Sequence, residues 1–193
     1  MGRRETSRRS FLVESLSGIG AAWFATNYAG ILATGDYVLE AAQSGRPTTF
    51  SFFTPEQAAD VEAMAAQIIP ADSTPGAREA RVVHFIDRAL TTFEAERKPD
   101  YVTGLAELQA QTRQLFPAAT RFSALNSGQQ IQVLTAIERT PFFNLVRTHT
   151  ISGFFASPIH GGNADKAGWK LVSYDDSLKF TPPFGYYDAR PSR

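Results

Sequence analysis

Apolar residues recur at helical spacing in five separate segments of the chain. The first segment begins at Thr54-Pro55, where a threonine cap, a proline at the first helical position and Gln57 three residues after the cap are typical of a helix start. Apolar side chains then fall three or four residues apart until Pro70 interrupts the pattern. This spacing predicts one buried helix face, formed by Ala58, Val61, Ala65 and Ile68.

The same spacing predicts two more helices before residue 116. The turn 71–76 leads into the second helix, whose buried stripe consists of Val82, Phe85, Ile86, Ala89, Leu90 and Phe93. The third helix is expected to be capped by Asp100. Its buried face consists of Tyr101, Leu105, Leu108, Thr112 and Leu115.

Two further helices are predicted between residues 127 and 155. Ser127 and Gln130 form a capping box ahead of the fourth helix. The residues expected on its buried face are Ile131, Leu134 and Ile137. Thr140-Pro141 starts the fifth helix, which continues to about Phe155. Its expected buried residues are Phe143, Val146 and Thr150.

These elements predict an all-α domain over residues 51–193. No segment alternates apolar and polar residues with a period of two, so no sheet is expected. The helices are expected to form a compact bundle of about five. From about residue 156 the prolines and glycines predict an irregular tail, which is rich in aromatic residues after residue 170. Such a tail on a small domain is expected to lie on another surface.

The first 33 residues have the organisation of an export signal. Arg8-Arg9 followed by Phe11-Leu12 resembles the twin-arginine motif, and a moderately apolar stretch diluted by glycine and polar residues follows it. The dilution of the apolar stretch fits the twin-arginine route, which carries folded cargo. We therefore expect an exported, periplasmic protein. Whether the segment is cleaved or stays to anchor the chain to the membrane is left open. Residues 34–50 are predicted to be a linker.

Composition excludes several kinds of binding and catalytic site. The formal net charge is zero, so nothing indicates binding to nucleic acid. The chain has no cysteine, which excludes disulfides, thiolate metal sites and a cysteine nucleophile. Asp87 and Glu79 are predicted to be solvated charges on helix surfaces, because each has an arginine as a close neighbour in sequence.

The three histidines are predicted to be packed or capping side chains. None of them lies three or four residues from another, so a shared metal site would need three distant segments. His84 is expected at a core edge, and His149 near the end of the last helix, where the helix dipole favours a charged imidazole. A metal-assisted enzyme that uses His84, His149 or His160 with Asp72 stays open as an alternative.

Gly161-Gly162-Asn163 has the composition of a ligand-binding loop, but lacks the spacing of phosphate-binding and dinucleotide-binding motifs. We therefore predict a tight turn with positive φ angles, with Trp169 packed over it. No cofactor, metal or catalytic site is predicted in this chain.

Several segments in order, covering roughly residues 50–172, together resemble the gluconate 2-dehydrogenase subunit 3 family. The more specific pair is the stretch from Ile68 to Ala77 and the stretch from Gly161 to Lys170. The other segments are Phe53-Thr54-Pro55-Glu56-Gln57, Phe85-Ile86-Asp87 and Phe143-Asn144-Leu145-Val146-Arg147.

The resemblance implies a partner and offers no catalytic residues to carry over. Such subunits pair with a large flavoprotein of the glucose–methanol–choline type, which holds FAD, oxidises a sugar, sugar acid or glycoside, and passes electrons to a cytochrome c subunit or another acceptor. The small subunit assists its folding, stability and export. An exported helical binding module without a redox partner stays open as another alternative. The candidate partner interface comprises Asp72, Pro75, Gly76, His160, Gly161, Gly162, Asn163, Trp169, Phe184, Tyr186 and Tyr187.

Overall fold

The computed structural model describes residues 49–176, and this range contains six α-helices and no strand. The predicted all-α class is therefore confirmed. The helices are α1 (Pro55–Ile68), α2 (Val82–Thr91), α3 (Lys98–Leu115), α4 (Ser127–Ile137), α5 (Pro141–Phe155) and α6 (Ala167–Leu171). Single 3-10 turns lie at Ala95–Arg97, Phe122–Ala124, Pro158–His160 and Ala164–Lys166.

Some predicted features lie outside the described residues. These are the export signal with Arg8, Arg9, Phe11 and Leu12, nearly all of the linker 34–50, and the tail residues Phe184, Tyr186 and Tyr187.

Two helix starts are as predicted, because local sequence supplies both the cap and the first turn. The Thr54 hydroxyl accepts from the Gln57 N–H at 3.2 Å, and the Gln57 side chain accepts from the Thr54 N–H at 3.0 Å. Thr140 caps α5 in the same way, accepting from the Phe143 N–H at 3.2 Å. In each helix a proline occupies the first position, where its missing N–H costs no hydrogen bond.

Two other starts differ from the prediction. α3 begins at Lys98, so Asp100 lies inside the first turn and does not cap the helix. The capping box of α4 is formed by Asn126 and Gln129, one residue before the predicted Ser127 and Gln130. Asparagine caps as well as serine does, so neighbouring candidates cannot be ranked from local sequence.

The buried side chain of Gln130 explains the register of α4. Its amide donates to the Leu125 carbonyl at 3.0 Å, and its oxygen accepts from the Gln67 side chain at 2.7 Å. A glutamine on the buried face turns Ile131 outward, where 52% of its surface is exposed. The predicted burial of Ile131 is thus wrong, as is that of Leu115 at the end of α3, which is 40% exposed.

The core lies where α5 meets α2 and α1, with α3 and α4 closing the other side. The predicted stripes of α1 and α2 are buried, except that Ile68 and Phe93 are only partly covered. Phe143 is also partly covered. The largest fully buried side chains are Tyr101, Phe85, Phe122 and Phe154. Burying such aromatic side chains stabilises the bundle by about 2–3 kcal/mol each.

The chain after Phe155 is irregular as predicted, with positive φ angles at Gly161, Asn163, Asp165, Lys166 and Ser173, but it also contains short helical pieces. Up to residue 176 it contains two 3-10 turns and the short helix α6, which packs on α5. Ala164 N–H donates to the Ala80 carbonyl at 3.0 Å, so this segment is also tied to the turn before α2.

Candidate functional site

The first predicted interface turn, residues 71–76, combines an exposed tip with a buried base. Asp72 and Pro75 are exposed, and the Asp72 carboxylate accepts from the N–H and the hydroxyl of Thr74, both at 2.8 Å. Gly76 is buried, and a Cβ there would lie 2.6 Å from the Ile69 carbonyl oxygen. Glycine is needed because the chain folds back against the end of α1, where the Ala77 N–H donates to Ile69 at 2.8 Å.

The second predicted turn is organised by Asn163, which is fully buried. Its amide nitrogen donates to the Ala156 carbonyl at 2.8 Å, and its oxygen accepts from the Gly168 N–H at 2.8 Å. One side chain thus links the end of α5 to the start of α6. Gly161 has φ 93° and Asn163 has φ 48°, which confirms the predicted positive-φ turn.

Close backbone contacts fix the glycines and the tryptophan of this region. A Cβ at Gly162 would lie 2.3 Å from the Gly153 carbonyl oxygen, and one at Gly168 would lie 2.0 Å from that of Phe154. Trp169 is half-buried and its indole N–H donates to the Phe155 carbonyl at 2.8 Å. These residues therefore hold the C-terminal segment against α5, and a contact with a partner stays a prediction for them.

Asp87 differs from its prediction as a solvated charge. It is only 6% exposed, and its carboxylate accepts three backbone N–H groups of the segment that enters the domain. Ser51 donates to Oδ2 at 2.7 Å, while Phe52 and Phe53 donate to Oδ1 at 2.9 Å each. The helical stripe of α2 gave no sign of this role, because the donors lie 34–36 residues away.

Glu79, by contrast, is exposed as predicted, although it lies in the turn before α2, and among residues 49–176 its carboxylate accepts the Gly76 N–H at 2.8 Å.

His84 and His160 both lie near Arg88, whereas His149 contacts Tyr101 and Glu94. His84 is half-buried and stacks on Phe50, with ring centroids 4.9 Å apart, as expected at a core edge. Burial, and secondarily the neighbouring Arg81, lowers the pKa of His84 to about 4. His160 is 5% exposed, and burial together with Arg88 lowers its pKa. Within residues 49–176, no three His, Asp or Glu side chains converge into a group able to bind a metal ion.

His149 is a packed imidazole, 1% exposed, within a buried polar array. Its Nδ1 lies 2.9 Å from the Tyr101 hydroxyl, and its Nε2 lies 3.7 Å from Glu94 Oε2. Burial, and then Glu94, raises the pKa of Tyr101 well above its usual value, so the phenol keeps its proton. We assign the hydroxyl as donor to Nδ1, because the proton on Nε2 then faces Glu94.

This array lies at the inner end of a groove of about 990 Å³ between α3 and α5, here called the α3–α5 groove. Its residues are Glu94, Glu96, Arg97, Asp100, Thr103, Gly104, Glu107, Pro141, Phe142, Asn144, Leu145, Thr148 and His149. Four of them are carboxylates and one is an arginine. Arg97 lies between two of the carboxylates, 3.7 Å from Glu94 and 3.4 Å from Asp100. Sequence spacing did not reveal the groove, which is assembled from α3, α5 and the 3-10 turn at Ala95–Arg97.

A second, smaller groove of about 330 Å³ lies between α1, α4 and α5. The exposed Ile131 and the half-buried Phe143 line it together with Ile68 and Leu134. Its charged rim consists of Glu138 and Arg147, one of each sign.

In the described range, none of the six helices combines the length and apolarity needed to span a bilayer.

In a comparison with protein families, the model for gluconate 2-dehydrogenase subunit 3 matches residues 55–175 of the chain. This match covers all six helices, the buried array and both predicted interface turns. Comparison with curated proteins finds no match, and comparison with solved structures finds none either.

Proposed function

Because the chain belongs to the gluconate 2-dehydrogenase subunit 3 family, we propose that it escorts a separate FAD-dependent dehydrogenase subunit of the glucose–methanol–choline type. Family membership makes it an accessory subunit of a dehydrogenase complex. The observation that carries the proposal is the family match over 121 consecutive residues, from 55 to 175, which includes every described helix.

The way buried polar groups are used supports a structural role for this subunit. Asp87 accepts backbone N–H groups of the entry segment, and Asn163 joins α5 to α6. Asp60, 4% exposed, accepts the Ser123 N–H at 2.8 Å and the Gln109 side chain, which links α1 to α3 and to the turn before α4. Each of these polar groups fixes one segment against another. A rigid surface of this kind suits the binding of a larger partner.

The export part of the proposal rests on Arg8-Arg9 and Phe11-Leu12 in the sequence. A folded flavoprotein that carries no export signal of its own would cross the membrane bound to this chain. The complex then works in the periplasm, where the partner's FAD oxidises a sugar, sugar acid or glycoside and passes the electrons to a cytochrome c subunit or another acceptor. Substrate selectivity belongs to the partner in this scheme.

Co-expression with a flavoprotein dehydrogenase subunit encoded beside this chain tests the proposal. Purification through a tag on the small chain should give a yellow complex near equal stoichiometry, with flavin absorbance that sugars bleach. Paired substitution of Arg8→Lys and Arg9→Lys should retain the flavoprotein in the cytoplasm. The matched control is Arg3→Lys with Arg4→Lys, which should leave export unchanged. A colourless small chain purified alone would refute the proposal.

A further inference from the structure

The α3–α5 groove combines an apolar floor with an acidic rim. Phe142, 6% exposed, lies so close to α3 that a Cβ on Gly104 would sit 2.1 Å from its ring. The missing side chain of Gly104 therefore lets the ring pack directly on the helix backbone. Leu145 and Pro141 extend this floor along the first turns of α5.

The rim has more negative than positive charge. The guanidinium of Arg97 is placed between Glu94 and Asp100, which leaves Glu96 and Glu107 on the rim. Both glutamates are exposed, and across residues 49–176 neither of them forms an ion pair. His149 closes the inner end of the groove and is held by Tyr101. A ligand that fills the groove must therefore present positive charge at the rim and apolar surface to the floor.

Lysine and arginine side chains have this combination. Their aliphatic stems pack on apolar surface while their cationic heads reach carboxylates in water. The second groove lacks this polarity, because Glu138 and Arg147 balance each other on its rim. Charge complementarity thus distinguishes the two grooves and selects a basic occupant for the larger one.

We propose that the α3–α5 groove receives a segment of the large flavoprotein subunit that carries lysine or arginine. The inference rests on the proposed function and adds the surface and the chemistry of the contact. The basic side chains of this segment lie along Phe142 and Leu145, and their charges meet the carboxylates of Glu96 and Glu107, which lie at different points along the groove. Because part of this attraction is exposed at the rim, it weakens as the salt concentration rises.

The test uses the complex of the full chain with the co-expressed flavoprotein, immobilised through a tag on the small chain. The rate at which the flavoprotein leaves the resin is followed through its flavin absorbance, at low and at high salt. Glu107→Lys should release the flavoprotein about tenfold faster than wild type at low salt, because an attraction to a basic side chain becomes a repulsion, and the double variant Glu96→Lys/Glu107→Lys should release it faster still. The difference should shrink at high salt, because screening removes the charge contribution.

Glu138→Lys is the control, because it makes the same charge change at an exposed position on the rim of the second groove. Within the described residues Glu138, unlike Glu107, lies 3.9 Å from an arginine, Arg139, but this pair is exposed and contributes little to stability. The release rate of this variant should equal that of wild type. Thermal unfolding of each small chain alone checks that the exposed substitutions leave the fold intact. Equal release by Glu107→Lys and Glu138→Lys would overturn the groove assignment and leave the escort role standing. Faster release by Glu138→Lys alone would place the partner on the second groove. A wild-type chain that binds no flavoprotein would overturn both proposals.

Discussion

Replacing Asp87 by alanine removes the anchor of the chain where it enters the helical domain. The carboxylate accepts N–H groups from three consecutive residues, Ser51, Phe52 and Phe53, over distances of 2.7 to 2.9 Å. Alanine leaves these donors without an acceptor. The N–H of Phe53 is affected most, because the bond it makes to Asp87 is buried.

The size of the effect follows from these contacts. A hydrogen bond to a charged group contributes about 1.5–3 kcal/mol, but three bonds to one carboxylate are not additive. The entry segment can also detach, which rehydrates the donors and exposes Phe53, at a cost of about 2 kcal/mol for that ring. We therefore expect the free energy of unfolding to fall by about 3 kcal/mol for Asp87→Ala. Asp87→Asn keeps one oxygen for Phe52 and Phe53 and turns an N–H₂ group toward Ser51, so about half the loss is expected.

Urea unfolding of both variants measures the free energy, and hydrogen exchange at residues 51–53 locates the change. Those amides should exchange roughly 100-fold faster in Asp87→Ala, which corresponds to about 3 kcal/mol. The control is Glu79→Ala, which removes an exposed carboxylate that accepts one N–H, and should cost at most about 1 kcal/mol. If Asp87→Ala were no more destabilising than Glu79→Ala, the anchoring role derived from the three bonds would be wrong.

Three further outcomes follow from single contacts. Gly162→Ala should lower the free energy of unfolding by about 2 kcal/mol, because its Cβ would meet the Gly153 carbonyl at 2.3 Å. Gly128→Ala should leave stability unchanged, because the atom nearest to its Cβ is 3.5 Å away, and equal melting temperatures of the two variants would contradict this. Tyr101→Phe should cost about 1–3 kcal/mol in urea unfolding, since Nδ1 of His149 loses its partner, whereas Tyr174→Phe at an exposed site should be neutral. The pKa of His84 is lowered to about 4 in the folded state, below the ordinary value of 6.5 that applies to the unfolded chain. The stability that the neutral ring contributes is therefore complete above about pH 6.5 and is lost as the pH falls toward 4. Between pH 7 and 5 wild type should therefore lose about 1 kcal/mol more than His84→Gln, after allowing for the partly exposed ring; parallel losses would refute the assignment.

Features set by a few neighbouring residues were predictable from the sequence. The starts of α1 and α5 follow from Thr54-Pro55 and Thr140-Pro141, because a cap and its N–H partner lie within three residues of each other. The apolar stripes of α1 and α2 gave the helical class and most of the core, and the composition of the turn 161–163 gave its positive φ angles. In the candidate site, the sequence predicted a packed or capping His149 near the end of its helix, where the dipole favours a charged ring. The structure instead places His149 in the middle of α5, buried against Tyr101 and Glu94, which the sequence did not indicate as its neighbours.

Tertiary structure decided what depends on residues far apart in the chain. From the sequence, Asp87 was predicted to be a surface charge. In the fold, the backbone N–H groups of residues 51–53 lie within hydrogen-bonding distance of its carboxylate. The register of α4 was decided by Gln130, which contacts Gln67 across 63 residues and leaves Ile131 exposed. The floor of the α3–α5 groove depends on Gly104 of α3, because its missing side chain lets the Phe142 ring of α5 pack directly against the helix. Helical spacing identifies the buried face of a helix. It does not show which polar side chains that face can hold, because a buried polar group is stable only when it is hydrogen-bonded, and its hydrogen-bond partner comes from a distant part of the chain.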